Sequence, residues 1–452
     1  MNMTQRPVVP RKPRGPAFAC WMLALLWACV GSASAAGTLH VTPGAGWTVE
    51  LADFDNHLPL AGDSVVLPKA DKPHGDNNHV EAHVSGRHAK RDALTMKWND
   101  AWYASLRFDA AKPVDLRPFL AHGAIEFDLD AVDMAKAGLN FVVGCGADCS
   151  RKLNYVVPSR ALQGQGWQHL AIPMRCFAHD GDDFSAVTRA FMLDSSGTGE
   201  AAIANLRFVA HARGNVACAD YRTESVSPKP LEQVWSMDWW IPRHEQKLAE
   251  IAALRAARQQ PDVVFIGDSI THNWEKDGQA VWAANYAKYH ALDLGFGGDH
   301  TENVLWRLQH GELDGFSTRV VVMMIGTNNT GDRMEDPATT AIGVRRLLDE
   351  VRQRQPDAKI LLLAVFPRGE KPDDPLRRIN DRLNQALVKF ADDREVFFLD
   401  IGAALTNPDG TLSRDVMPDL LHPNEKGYTI WADQMNPTLQ RLLDSTPAHP
   451  AP

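Results

Sequence analysis

The sequence predicts an α/β chain in which a three-layer domain on a parallel sheet follows an all-β antiparallel sandwich of jelly-roll type. Three observations carry that reading. Apolar runs end at Ile266, near Leu294, near Ile325, near Phe366 and near Leu399, and amphipathic segments such as residues 341–355 and 378–393 separate them. Strands that alternate with helices imply a parallel sheet covered on both faces. Before Val226 the runs are short and alternating or β-branched, turn residues separate them, and helical periodicity is scarce. The change of period falls at SVSPKP, Ser225 to Pro230.

Taken in order, the chain starts with Arg6, Arg11, Lys12 and Arg14, then the uncharged apolar stretch Ala17 to Val30, then GSASAAG. These are the three regions of a secretory leader, expected to be cut near Ala35 or Ala36. Its apolar core is shorter than the ~20 residues of a spanning helix. The expected organisation is a leader over 1–36, the sandwich over 37–226, the three-layer domain over 227–445 and a tail over 446–452. An exported chain, periplasmic or secreted, with no stable membrane insertion after cleavage follows. The formal net charge is -9 and the leader holds no acid, so its loss leaves an acidic chain, which argues against nucleic acid as a partner.

Cys20 and Cys29 fall in the leader, leaving Cys145, Cys149, Cys176 and Cys218. In an exported chain the CGADC spacing reads as a local disulfide, since a partner pair for a zinc site is missing, and the other two cysteines are available to each other. HGDNNHVEAH places His79 and His83 four apart after His74, but its Gly, Asp and Asn content predicts a solvated loop rather than a metal-binding helix. Sandwich strands are read at SLRF (Ser105 to Phe108), Ala124 to Asp130, Leu139 to Val143, His169 to Pro173 and Asn205 to Ala210. Trp47, Trp98, Trp102 and Tyr103 are candidate stacking platforms, weighed against the commoner core role of aromatics in sandwiches.

In the second half, a helix is read over His244 to Gln259 and four polar stations stand out: GDS at Gly267 to Ser269, GFGGD containing Gly298 and IGTNN containing Asn328, each closing an apolar run, and DLLHPN from Asp419 near the other end, where it could supply the base. A nucleophile needs a strand that ends at the serine and a helix that begins there. Ser269 has that context. Ser64, in the other GDS, precedes its apolar run and does not. Ester cleavage also needs a base, a carboxylate that orients it and oxyanion donors. His422 is the candidate base and Asp419 its orienter; Pro423 is expected as the first residue of a C-terminal helix reaching Leu443. The backbone N–H groups of Ser269 and Gly298 and the Asn328 amide are candidate oxyanion donors. Ile270 and Leu421 are candidate walls of a short acyl pocket.

GDSI, GFGGD, GTNN and DLLH resemble the four blocks of the SGNH (GDSL) hydrolase superfamily. More narrowly, VVFIGDSI, LGFGGDHTENVLWRLQHGEL, VVMMIGTNN, PRG and LLHPNEKGY are similar to the catalytic subunits of the platelet-activating-factor acetylhydrolase Ib type and their bacterial relatives, from about Trp240 to Leu443. The GxSxG elbow of α/β hydrolases is missing from that region. DLRPFLAHGAIEFDLD, CGADCS and GWQHLAIPMRCF resemble the ExoP-type galactose-binding-like sandwich appended to some bacterial glycoside hydrolases. The resemblance implies a flavodoxin-like parallel sheet, Ser269 as nucleophile, Asp419 and His422 as its partners, and Gly298 and Asn328 in the oxyanion hole; no metal or organic cofactor is expected, because the triad supplies both nucleophile and acid/base chemistry. It leads to the expectation of an exported serine esterase that takes short acyl groups, acetyl foremost, from an acylated carbohydrate. Its rivals are a lipid or general short-chain esterase and a sugar-binding protein with an inert esterase domain. Because the sandwich supplies none of the site residues, chemistry on a small ester is expected to survive its removal.

Overall fold

Two long strands, Ala93–Val114 and Val187–Val209, run antiparallel along the first half of the chain and organise everything around them. The structure is a computed structural model that describes residues 37–69, 79–89, 91–146 and 149–445. The expected leader, the tail at 446–452 and His74 lie outside the described residues. Toward one end of the long pair, His79–Ser85 adds to the first strand while Ala124–Lys136 and then Gln168–Pro173 add to the second. Toward the other end, Trp47–Ala52 adds to the first and Leu139–Gly144, followed by Ser150–Tyr155, to the second. Both sets bury one face in a shared core. Phe127 of one set lies 5.0 Å from Phe141 of the other and 5.3 Å from Phe191 of the long strand, ring centre to ring centre.

The long pair is not continuous in register. Gly199 pairs with Trp98, Gly197 with Ala101 and Ser195 with Ala104, so the first strand holds two residues against one at each step. Such bulges re-aim side chains. Trp47 and Trp98 are buried, whereas Trp102, on the second bulge, is exposed. The HVEAH segment forms the strand His79–Ser85 and not the expected loop; strand pairing with residues 93–99 overrides its weak local preference, and His79 meets Glu81 at 3.1 Å. Disulfides join Cys145 to Cys149, just before Ser150–Tyr155, and Cys176 to Cys218.

Five parallel strands form the second sheet, in the spatial order Leu292–Gly295, Val263–Gly267, Val320–Met324, Lys359–Leu363, Val396–Leu399. Alternate side chains serve opposite cores. Val264, Ile266, Val321 and Met323 pack under the helices Trp240–Ala256, Thr301–Arg307, Pro337–Arg354 and Pro375–Leu387, and Val263, Phe265, Val320 and Val322 pack under Gln279–Asn285 and Glu425–Asp444. This is the three-layer arrangement expected from continuous apolar runs. The fourth strand stops at Leu363, short of Phe366, because Asn384 takes both backbone groups of Val365 (2.8 and 2.9 Å) in place of a sheet neighbour. Pro423 precedes the last helix instead of opening it: Asn424 is the cap, its side chain accepting from Gly427 N–H at 3.1 Å.

From Thr38 the described residues form one compact unit, so the two halves are packed together. Lys152 of the sandwich meets Asp332 at 2.8 Å, Arg151 donates to the Arg333 carbonyl at 3.4 Å, and Asn154 donates to the Glu232 carbonyl at 2.7 Å. Ser225, at the expected boundary, is buried and donates to Glu335 at 2.6 Å while its carbonyl accepts from Thr301. Among the described residues no helix is long and apolar enough to cross a membrane.

Candidate active site

The strand Val263–Gly267 ends in a turn so tight that only glycine fits at its last position. A Cβ on Gly267 would lie 2.1 Å from Thr271 Oγ1 and 2.5 Å from the Met324 carbonyl. Asp268 then caps the short helix Ser269–His272, accepting from Ile270 N–H at 3.0 Å. Burial pushes the Asp268 carboxyl up to about 6, and its second oxygen has no hydrogen-bond partner among the described residues. Ser269 is thereby held at the carboxyl edge of the sheet with its backbone N–H at a helix start, where it has no intrahelical acceptor.

Across the edge stands the turn Asp419–His422. The Ser269 hydroxyl lies 2.9 Å from His422 Nε2, and His422 Nδ1 lies 2.6 Å from Asp419 Oδ2. The other oxygen of the same carboxylate accepts from the backbone N–H of His422 at 2.7 Å and of Leu421 at 3.0 Å. Burial alone would raise the Asp419 carboxyl, but the His422 hydrogen bonds outweigh it and hold the group below its ordinary range. Leu420, between them, sits at φ +63°, left-handed backbone that a bulky residue adopts only when its surroundings hold it there. Its carbonyl is tied to Gly369 N–H at 2.9 Å.

Gly298 and Asn328 come from the next two strand exits. Gly298 has φ +78°, and a Cβ there would strike the Trp235 ring at 2.1 Å, so both the turn and the indole above it require glycine. Asn328 lies in the helix Thr327–Asp332 and uses one amide hydrogen on the Asp299 carbonyl at 2.9 Å, leaving its other hydrogen for a ligand. Asp299 is itself fixed from behind. Trp240 Nε1 (2.7 Å) and Arg307 Nε (2.8 Å) hold its carboxylate, and the wholly buried Arg307 also pairs with Glu312 and donates to the Leu294 carbonyl at 3.2 Å. Such a fixed set of donors around a Ser-His-Asp chain suits acyl transfer through a tetrahedral intermediate.

The structure thus brings Ser269, His422 and Asp419 into one chain and sets Gly298 and Asn328 on adjoining strand exits. It does not give Ile270 the part expected of it. Ile270 is 0% exposed within the core, and it serves through its backbone, the N–H donating to Asp268 and the carbonyl accepting from Tyr428 at 2.6 Å; a side chain without exposed surface cannot wall an open pocket. Leu421 is half-buried beside His422. Ser64 starts an exposed strand. Sequence reasoning gave no part to Trp235 or to Arg368, of the PRG segment, whose guanidinium donates to the Thr327 carbonyl at 3.0 Å. The metal-type cluster found among the described residues, Cys145, Cys149 and Asp182, contains a disulfide.

Residues 265–430 match the GDSL-like lipase/acylhydrolase family, and residues 68–208 match a galactose-binding domain-like family. The chain is 35% identical over 221 residues to the platelet-activating factor acetylhydrolase IB subunit alpha2 of Rattus norvegicus, a match covering 49% of this chain and 92% of that protein. To the alpha1 subunit of Homo sapiens it is 34% identical over 229 residues, covering 50% and 93%. The crystal structure of the extra C-terminal domain of an exo-1,3/1,4-beta-glucanase from a Pseudoalteromonas species superposes with TM-score 0.30 at 18% identity, covering 40% of this chain and 97% of that one. With more than a third of positions shared along nearly the whole length of those acetylhydrolase subunits, the chain belongs to the GDSL-like lipase/acylhydrolase family and is an ester-hydrolysing serine hydrolase.

Proposed function

We propose that this hydrolase removes short acyl groups, acetyl foremost, from a carbohydrate outside the cytoplasm. One observation carries the chemistry: the unbroken chain from Ser269 Oγ through His422 to Asp419. Ser269 Oγ attacks the ester carbonyl as its proton passes to His422 Nε2, and Asp419 holds the imidazole and stabilises its charge. The carbonyl electrons move onto the oxygen, which accepts hydrogen bonds from Ser269 N–H, Gly298 N–H and the Asn328 amide. When the intermediate collapses the sugar oxygen leaves with the proton from His422. Water then repeats the sequence on the acyl-serine and releases the carboxylic acid.

Support for acetyl comes from the relatives, which are named acetylhydrolases. The galactose-binding-like match over residues 68–208 supports a carbohydrate, and the two disulfides with the leader-like N-terminus support export to an oxidising compartment. A lipid ester is the second reading, because those relatives are named for platelet-activating factor. Acetate release by the protein from acetylated polysaccharides, compared with acetyl and longer-chain lipid esters and with a Ser269→Ala control, tests both. Preference for the lipid esters would overturn the carbohydrate reading. Undiminished turnover by Ser269→Ala would overturn the site.

A further inference from the structure

Beside the oxyanion residues lies a cavity of about 730 Å³, lined on one side by Gly298, Asn328 and Arg368 and on the other by Phe54, Trp102 and Asp194 of the sandwich. That volume is within the ~300–1,000 Å³ usual for small-ligand sites. The rings of Phe54 and Trp102 are stacked at 5.9 Å with 20° between planes, and they are 59% and 61% exposed. Trp235, 50% exposed, belongs to the segment joining the halves and lines the same cavity with its ring edge over Gly298. Large exposed aromatics gathered in one concavity next to a reaction centre mark a binding surface.

The remainder of the lining is polar. His300 is 5% exposed and its Nε2 has no hydrogen-bond partner among the described residues, Asp332 lying at 3.6 Å; the Oδ1 atom of Asn140 is also buried without a partner among them. Both residues line the cavity. An acyl tail laid here would take water from the polar side chains of Lys152, Gln233, Asp332 and Arg368 without replacing its hydrogen bonds. A sugar ring presents an apolar C–H face to an indole and hydroxyls to its rim, which matches aromatic walls with polar groups between them.

We propose that the sandwich forms part of the substrate site itself, with Trp102 and Phe54 opposite Trp235 holding the sugar units next to the one that bears the ester. This rests on the carbohydrate reading above. The sandwich then acts within the site rather than as a remote tether, and the substrate is an oligosaccharide segment of more than one unit.

The test uses the full chain, its Trp102→Ala and Phe54→Ala variants, and Trp102→Tyr, which keeps an aromatic face. Chemically acetylated xylotetraose and cellotetraose are compared with 4-nitrophenyl acetate. For Trp102→Ala, kcat/KM should fall at least about tenfold more on the better tetrasaccharide than on the small ester, chiefly through KM, with Trp102→Tyr recovering most of the loss. Equal losses on both esters, or a tetrasaccharide rate within twofold of the parent, would overturn the proposal. Binding separates it from the esterase reading. In the Ser269→Ala background the unacetylated tetrasaccharides are titrated by calorimetry. Binding that Trp102→Ala weakens supports the subsite even if lipid esters prove the better substrates, and absence of binding to either sugar overturns it.

Discussion

In the parallel sheet the reactive side chains stand where strands end, and in the antiparallel sheet the exposed aromatic stands where a strand is interrupted. Ser269, Gly298 and Asn328 follow strands that are buried on both faces, so regular packing carries each to one edge and little freedom remains. Trp102 lies on a strand with one face in the core, and strict alternation gives no such outcome there. Two successive register shifts against Gly197 and Gly199 turn it out toward the cavity while Trp98, four residues earlier, stays buried. Order positions the chemistry and a local defect positions the surface around it.

The largest test of that contrast uses one tripeptide in two settings. Ser269→Ala should lower kcat on the order of 10⁶-fold, as loss of the nucleophile does in other serine hydrolases, with an unchanged circular dichroism spectrum. Phe127→Ala asks whether the halves are one folding unit. Deleting a wholly buried ring that touches both strand sets should cost about 3–5 kcal/mol in denaturant unfolding. If activity and sandwich structure are lost at a common midpoint, the contrast is one of local geometry within a single unit; two separate transitions would break it.

Asn328→Ala should lower kcat about 10²–10³-fold with little change in KM, because the amide acts on the developing oxyanion; a change mainly in KM would move Asn328 to substrate binding. Glu224 tests the seam. Burial alone would raise its carboxyl above 4.5, but Arg333 and Lys229 outweigh this and bring it to about 2. A folded pKa below the unfolded one gives stability that is complete above the unfolded value, about 4.5, and lost as pH falls toward about 2. Glu224→Gln should therefore be less stable than the parent at pH 7 by about 1–3 kcal/mol, and the gap should close as pH falls from about 4.5 to 2. Denaturant midpoints at a series of pH values measure it, and a gap constant with pH would mean that the charge does not couple there. The smallest effect belongs to Ser64→Ala, expected within twofold of parental activity, since Ser64 is an exposed strand residue.

Regularity also governed what could be read in advance. A parallel strand announces itself as an apolar run and its ligands gather past its carboxyl end, so GDS, GFGGD and GTNN could be assigned to one edge from the sequence, and DLLH joined them by its resemblance to the fourth SGNH block. What the sequence concealed depends on partners distant along the chain. HVEAH looks like a loop until residues 93–99 pair with it, and Val365 looks like strand until Asn384 takes its backbone. Trp102 and Trp98 are alike in sequence, and only the register of Ser195–Gly199 tells them apart. Ile270 neighbours Ser269, yet the short helix turns it inward. The halves looked separable because no site residue precedes Ser225, but buried Ser225 with its Glu335 and Thr301 bonds crosses the expected boundary, and removing the sandwich also strips one wall of the cavity.

The Asp419–His422 turn has a consequence for tolerance to change. In many triads three members come from three separate elements, and each must be kept in place independently. Here one carboxylate holds both the imidazole and the backbone of the residue that carries it, within a turn that Leu420 and Gly369 tie down. The base and its orienter therefore move as one rigid body. Within the triad a single long-range distance, from that body to Ser269, has to survive drift or insertion elsewhere in the fold, and the loops that carry neither this pair nor the oxyanion donors are correspondingly free to diversify.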